Sequence, residues 1–217
     1  MGLPKALMGT VHSRDKSVEQ LVARHRLVSN QMNRAQLRTI LTELDQTLSR
    51  GTAGATVEFG CYIGTTSLFI RRLLDARGQD RAFHVYDSFA GLPPKSVQDA
   101  SITGEDFTAG ALAVSKKQFL HEFTKANLKP PIVHKNWFAE LTPSDIPDHV
   151  AFALLDGDFY ESIRDSLRLV MPRMEPGGVI IIDDYAREAL PGAATATHEF
   201  FPPNEIRTQH NLGIIHC

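Results

Sequence analysis

The sequence is short of several things. It has two cysteines, Cys61 and Cys217, in 217 residues. They stand far apart, and neither has a neighbour at metal-ligand spacing. This argues against a disulfide framework and a zinc knuckle, and both read as free thiols of a reducing compartment. No apolar run approaches the roughly 20 residues that span a bilayer. The opening residues Met1 to Ala6 lack the apolar stretch of a secretion signal, so the expectation is a cytoplasmic protein without a membrane partner. Charge of one sign is also missing. A formal net charge of -2, with no basic run, is not that of a chain that binds nucleic acid through its phosphates. The nine histidines form no His-x-x-x-His pair. No serine has a histidine and an acid at a recognisable spacing, so a hydrolase nucleophile is not indicated.

What is present is a strand, a glycine turn and a helix. Ala55 to Phe59 is apolar enough for a buried strand. Gly60-Cys61-Tyr62-Ile63-Gly64 is the turn, and a helix starts near Gly64 or Thr65. Glycines let a ligand approach the backbone closely. The N–H groups of the helix N-terminus then face that ligand. Further strands are expected at 82–86, 132–134, 150–155 and 179–182, with two short ones near Ile206 and over 212–216. Helices are expected at 113–127, 160–174 and 193–201. Pro176-Gly177-Gly178 reads as a turn before the most apolar strand. Strands alternating with helices define an α/β domain with a mostly parallel sheet. Residues 1–16 are polar and patternless. A helix capped by Ser17 and a second over 30–49 make residues 1–50 a helical extension, with a domain over 51–217. The segment 88–110 is longer than an ordinary connection, as functional loops often are.

In such sheets ligands bind beyond the C-terminal strand ends. Those ends carry Glu58, Asp87, Asp156, Asp158, Asp183 and Asp184. Asp87, ending the second strand, suits ribose hydroxyls, although an Asx turn before Ser88 is the plainer reading. Asp156 with the consecutive pair Asp183-Asp184 suits a hard cation such as Mg²⁺, which takes carboxylates and completes its shell with water and substrate oxygens. Capping is the plainer reading of that pair. Tyr62 stands where a dinucleotide fingerprint has its second glycine, and its bulk would crowd a pyrophosphate. A cofactor with a ribose and no phosphate, such as S-adenosylmethionine, fits better. Trp137 suits stacking on an adenine, or a place in the core.

The motifs resemble class I S-adenosylmethionine-dependent methyltransferases, and more narrowly the macrocin O-methyltransferase family. They are Glu58-x-Gly60-x-Tyr62-x-Gly64, Tyr86 to Pro93, Gly110 to Ser115, Trp137-Phe138, Leu155 to Ser162, and Pro176 to Tyr185, all in one order. The resemblance implies a Rossmann-like seven-stranded, mostly parallel sheet with helices on both faces and an antiparallel final strand. It implies methyl transfer to a hydroxyl, with Mg²⁺ held by Asp156, Asp183 and Asp184. Glu58, Gly60, Tyr62, Gly64 and Thr65 would hold the methionine end of the cofactor, Asp87 the ribose, and Ser88 and Trp137 the adenine side. Asp156 would contact both cofactor and metal and act as the base, with Asp158 the alternative. The acceptor would be a sugar or other diol of a natural product, with a catechol or phenol as the alternative. Catechol-type relatives carry a lysine where this chain has Phe159. A nicotinamide-dependent oxidoreductase and a non-catalytic cofactor-binding module are the rival classes, and a homodimer stays open.

Overall fold

The computed structural model describes residues 17–104 and 107–217; the segment 1–16, expected to lack pattern, lies outside them. The first helix, α1, covers residues 17–24. Helix α2 is Arg34–Arg50 and starts four residues later than expected, because Asn33 caps it. The Asn33 carboxamide oxygen accepts from the N–H groups of Ala35 and Gln36 at 2.9 and 3.0 Å, and the Gln36 side chain accepts from Asn33 N–H. Gly51, left-handed at φ 74°, ends the helix.

The strands are β1 (Ala55–Phe59), β2 (Phe83–Asp87), β3 (Ile132–Lys135), β4 (Val150–Leu155), β5 (Met174–Ile182), β6 (Arg207–Gln209) and β7 (Leu212–His216). Their order is β3-β2-β1-β4-β5-β7-β6. The first five pair in parallel, and β7 is antiparallel to both β5 and β6. The remaining helices are α3 (Thr65–Ala76), α4 (Lys116–Ala126), α5 (Tyr160–Val170) and α6 (Pro191–His198). Helix α5 stops short of the expected end because a 3-10 turn, Met171–Arg173, carries Pro172.

Every residue of β1 and β4 is buried; β4 reads accordingly as a continuous apolar run, while β1 also buries Thr56 and Glu58. Alternate residues feed opposite cores. Phe152 and Leu154 point to one core with α1, α2, α3 and α4. Ala153 and Leu155 point to the other, with α5 and α6. Leu37, Ile40, Leu41, Leu44 and Leu48 of α2 belong to the first core, so the helix before residue 50 packs directly on the sheet.

The turn expected at Pro176-Gly177-Gly178 is instead part of β5. Pro176 has no N–H to give, but Gly177 N–H donates to the Cys217 carbonyl at 2.8 Å and Cys217 N–H returns to Gly178 at 3.0 Å. No helix among the described residues is long and apolar enough to cross a membrane.

Candidate active site

Chain connections run outward from β1 to β2 and β3, then cross back to β4 on its other side. The crevice at such a switch point is the expected ligand position. A cleft of about 790 Å³, counting its open mouth, lies there. Of the residues singled out from sequence, Gly60, Tyr62, Asp87, Ser88, Trp137, Asp156, Asp158, Asp183 and Asp184 face it. Glu58, Gly64 and Thr65 do not. Glu58 is 1% exposed beneath the turn and accepts the Ser67 hydroxyl at 2.5 Å. Gly64 is the left-handed N-cap of α3, at φ 93°. The Thr65 hydroxyl pairs with that of Ser29 at 2.8 Å.

Asp87 ties the glycine turn to β2. Its Oδ2 accepts from Cys61 N–H at 2.8 Å and Tyr62 N–H at 3.3 Å, and its Oδ1 accepts from Phe89 N–H at 2.7 Å. Gly60 is required by β4. A Cβ on it would lie 1.9 Å from the Asp156 carbonyl oxygen, and its φ is +84°. Left-handed backbone at non-glycine residues gathers here too: Tyr62, Leu112, Asp158 and Asp184 all have positive φ, and all face the cleft. Strain of this kind is held where surrounding structure over-determines it.

The cleft is also lined by four carboxylates, Asp156, Asp158, Asp183 and Asp184. Burial raises the pKa of Asp158 to about 8 and that of Asp183 to about 7, and the charges of neighbouring aspartates add to both shifts. Burial and then Asp183 push Asp156 well above the usual range. Burial also raises Asp184, opposed by Arg187. Arg187 contacts both Asp184 oxygens, at 3.1 and 3.3 Å. Glu58 is raised to about 8, mainly by burial, against the Ser67 hydroxyl bond. The donor set, buried and mutually repelling carboxylate oxygens, has the chemistry of a hard divalent cation site. Among the described residues, however, no three His, Cys, Asp or Glu side chains are gathered as a ready metal site.

The profile of the macrocin-O-methyltransferase (TylF) family matches residues 13–212. The chain belongs to the macrocin O-methyltransferase family. It is 35% identical over 163 residues to the 8-demethyl-8-(2,3-dimethoxy-alpha-L-rhamnosyl)-tetracenomycin-C 4'-O-methyltransferase of Streptomyces olivaceus, covering 72% of this chain and 61% of that protein. It is 30% identical over 165 residues to the mycinamicin III 3''-O-methyltransferase of Micromonospora griseorubida, covering 72% and 64%. It is 31% identical over 156 residues to the demethyldecarbamoylnovobiocin O-methyltransferase of Streptomyces niveus, covering 65% and 56%. This chain thus spans less than two thirds of the length of these relatives. Among solved structures, the O-methyltransferase NovP superposes with a TM-score of 0.71 at 26% identity, covering 83% of this chain and 78% of that one. The calicheamicin methyltransferase CalS11, at 16% identity and a TM-score of 0.68, shares the fold.

This macrocin O-methyltransferase family member also lines its cleft with residues not singled out from sequence. Arg187 and Gln31 are among them. Arg187 lies three residues beyond Asp184, a spacing that could have signalled an ion pair. Gln31 comes from the α1–α2 connection, and no local pattern points to it. His198 bonds the Tyr185 hydroxyl at 2.8 Å and is not among the residues lining the cleft.

Proposed function

We propose that this chain transfers the methyl group of S-adenosylmethionine to a hydroxyl of a small molecule, a sugar or other diol of a natural product, with Mg²⁺ bound. The observation that carries the reading is one cleft lined both by the Asp87-tied glycine turn and by the aspartate cluster. The family match and the named relatives, three O-methyltransferases, support it.

The bound sulfonium cofactor supplies an activated methyl group, and Mg²⁺ makes a bound hydroxyl more acidic. The rest falls to the chain. Gly60 and Tyr62 form the wall for the methionine end, and Glu58, bonded to Ser67 from below, braces it. Gly64 and Thr65 open the helix whose N-terminus backs the turn. Asp87 spends part of its capacity on the turn and keeps lone pairs for ribose hydroxyls. Ser88 and Trp137 flank the adenine side. Asp156, Asp183 and Asp184 would hold the cation. Held by these residues, the cofactor would supply a methyl carbon whose leaving group is the neutral thioether sulfur, open to an acceptor oxygen brought in line with it. The hydroxyl proton goes to Asp156. Holding both reactants in line contributes much of the rate.

The test is a methyl-transfer screen with labelled S-adenosylmethionine over deoxysugar-bearing natural products, simple sugars and catechols, with Mg²⁺ and with chelator. Labelled sugar products that disappear under chelator are expected. Calorimetric binding of NAD in place of S-adenosylmethionine would overturn the reading, as would cofactor binding with no transfer to any acceptor. Products that persist under chelator would remove Mg²⁺ from it.

A further inference from the structure

Helix α5 begins without a cap of its own. Its N-cap position is Phe159, which offers no side-chain acceptor. The N–H of Tyr160 is met instead from 61 positions away, donating to Asp99 Oδ1 at 2.7 Å. The other oxygen of Asp99 accepts the Ser96 N–H at 2.9 Å and the Ser96 hydroxyl at 2.6 Å. Asp99 is 1% exposed. A third element closes over it. Gly192, in the first turn of α6, sits so near that a Cβ there would lie 1.8 Å from Asp99 Oδ1 and 2.8 Å from Tyr160 N. Close by, the Ser101 hydroxyl donates to the Glu188 carbonyl at 2.9 Å.

These three segments frame one side of the cleft. The chain enters α5 from Asp156-Gly157-Asp158, and it enters α6 from Asp183, Asp184 and Arg187. Residues 88–104 supply Ser88, Gly91, Leu92 and Pro93 to the wall. Apolar packing holds part of that segment, where Leu92 meets Phe159 and Leu190. It does not hold the part around Asp99, because Val97 and Ile102 are 87% and 91% exposed. The attachment there is polar and centres on one carboxylate. A negative charge is favoured at a helix N-terminus, and losing it leaves a buried N–H without a partner.

We propose that Asp99 is a positioning residue: it latches residues 88–104 to the entrance of α5 and so fixes the Asp156–Asp158 turn towards the acceptor. The kinetic part of this inference rests on the methyl-transfer reading; the latch itself does not. The experiment compares Asp99→Ala, Asp99→Asn and Ser96→Ala with the wild-type chain. Each is assayed by tryptic cleavage after Lys95, calorimetry with S-adenosylmethionine, thermal midpoint, and kcat and KM for the acceptor found in the screen. Asp99→Ala is expected to speed cleavage by about tenfold and lower kcat by about 10- to 100-fold, with cofactor affinity kept within about twofold. Asp99→Asn keeps an oxygen for Tyr160 N–H and restores most of both. Unchanged cleavage and kcat in Asp99→Ala overturn the proposal. So does a joint fall of cofactor affinity, midpoint and kcat that Asp99→Asn does not relieve, since that marks an ordinary core residue. If Asp99→Ala does not fold, Ser96→Ala decides, with intermediate cleavage and kcat supporting the latch and wild-type values sinking it. If the wild-type chain methylates nothing, the functional reading fails, and the cleavage rates alone decide the latch.

Discussion

Gln36 in α2 donates its side-chain amide to Asp183 Oδ1 at 3.2 Å, across 147 positions of sequence. Both residues are buried. The same Gln36 side chain accepts from Asn33 N–H at 3.2 Å, so one residue serves a helix cap and the acidic cluster together. Gln36→Leu removes a donor from a buried carboxyl and half of a capping box. The expected loss of stability is about 1–3 kcal/mol, read from urea unfolding. A loss below the error of that measurement would mean that neither bond matters.

Glu58 gives a pH dependence of defined sign. Its folded pKa of about 8 lies above the ordinary value of 4.5. The folded state therefore binds the proton more tightly, and the stability this contributes is fully present below pH 4.5 and lost as pH rises through 8. Glu58→Gln cannot ionise. Relative to wild type it should gain stability between these pH values, by an amount on the order of 3–5 kcal/mol at the upper end. Urea titrations of both proteins across that range, without ligand, check it. A flat difference would place the Glu58 pKa at its ordinary value.

Gly60→Ala meets two obstacles at once, a left-handed φ and a contact of 1.9 Å with the Asp156 carbonyl. Backbone cannot swing aside as a side-chain tip can. The cost should exceed about 3 kcal/mol, with cofactor binding lost in calorimetry even where the chain still folds. Gly78→Ala is the control. It has a positive φ of 62° with open space around it, so it carries the conformational cost alone.

Asp184→Ala addresses the metal half of the proposed function. With no carboxylate there, Mg²⁺-dependent turnover should vanish while S-adenosylmethionine still binds. A mutant as active as wild type in the presence of chelator would remove the metal from the proposal. Arg187, which contacts both Asp184 oxygens, would lose that ion pair in the same variant.

The strand ends were readable because physics writes them plainly. A parallel strand covered on both faces is mostly apolar, so an acid that follows the run marks its end; Glu58, buried within β1 against Ser67, is the exception. Asp87, Asp156 and Asp183 follow that rule, and all three face the cleft. Tyr62 was readable as a departure from a glycine pattern, though not its left-handed φ of 48°. The contributions of Gln36, Asp99 and Arg187 left little mark in the sequence. Gln36 and Asp99 depend on which helix start or loop arrives beside them, and no spacing rule joins positions 99 and 160. Pro176-Gly177-Gly178 misled for the opposite reason. Its composition is that of a turn, but Cys217 supplies ladder partners that keep the glycines in β5.

The near-contact of Gly60 with the Asp156 carbonyl has a consequence for redesign. The wall that would face the cofactor and the wall that would face the acceptor are separated there by the thickness of one peptide. Neither strand end can be recut without moving the other, which leaves little room for new specificities at the centre of the sheet. The tunable positions are Leu112 and Ser162, which line the cleft from a loop and a helix start rather than from the β1–β4 seam. A library aimed at new acceptors would vary these and leave the seam intact.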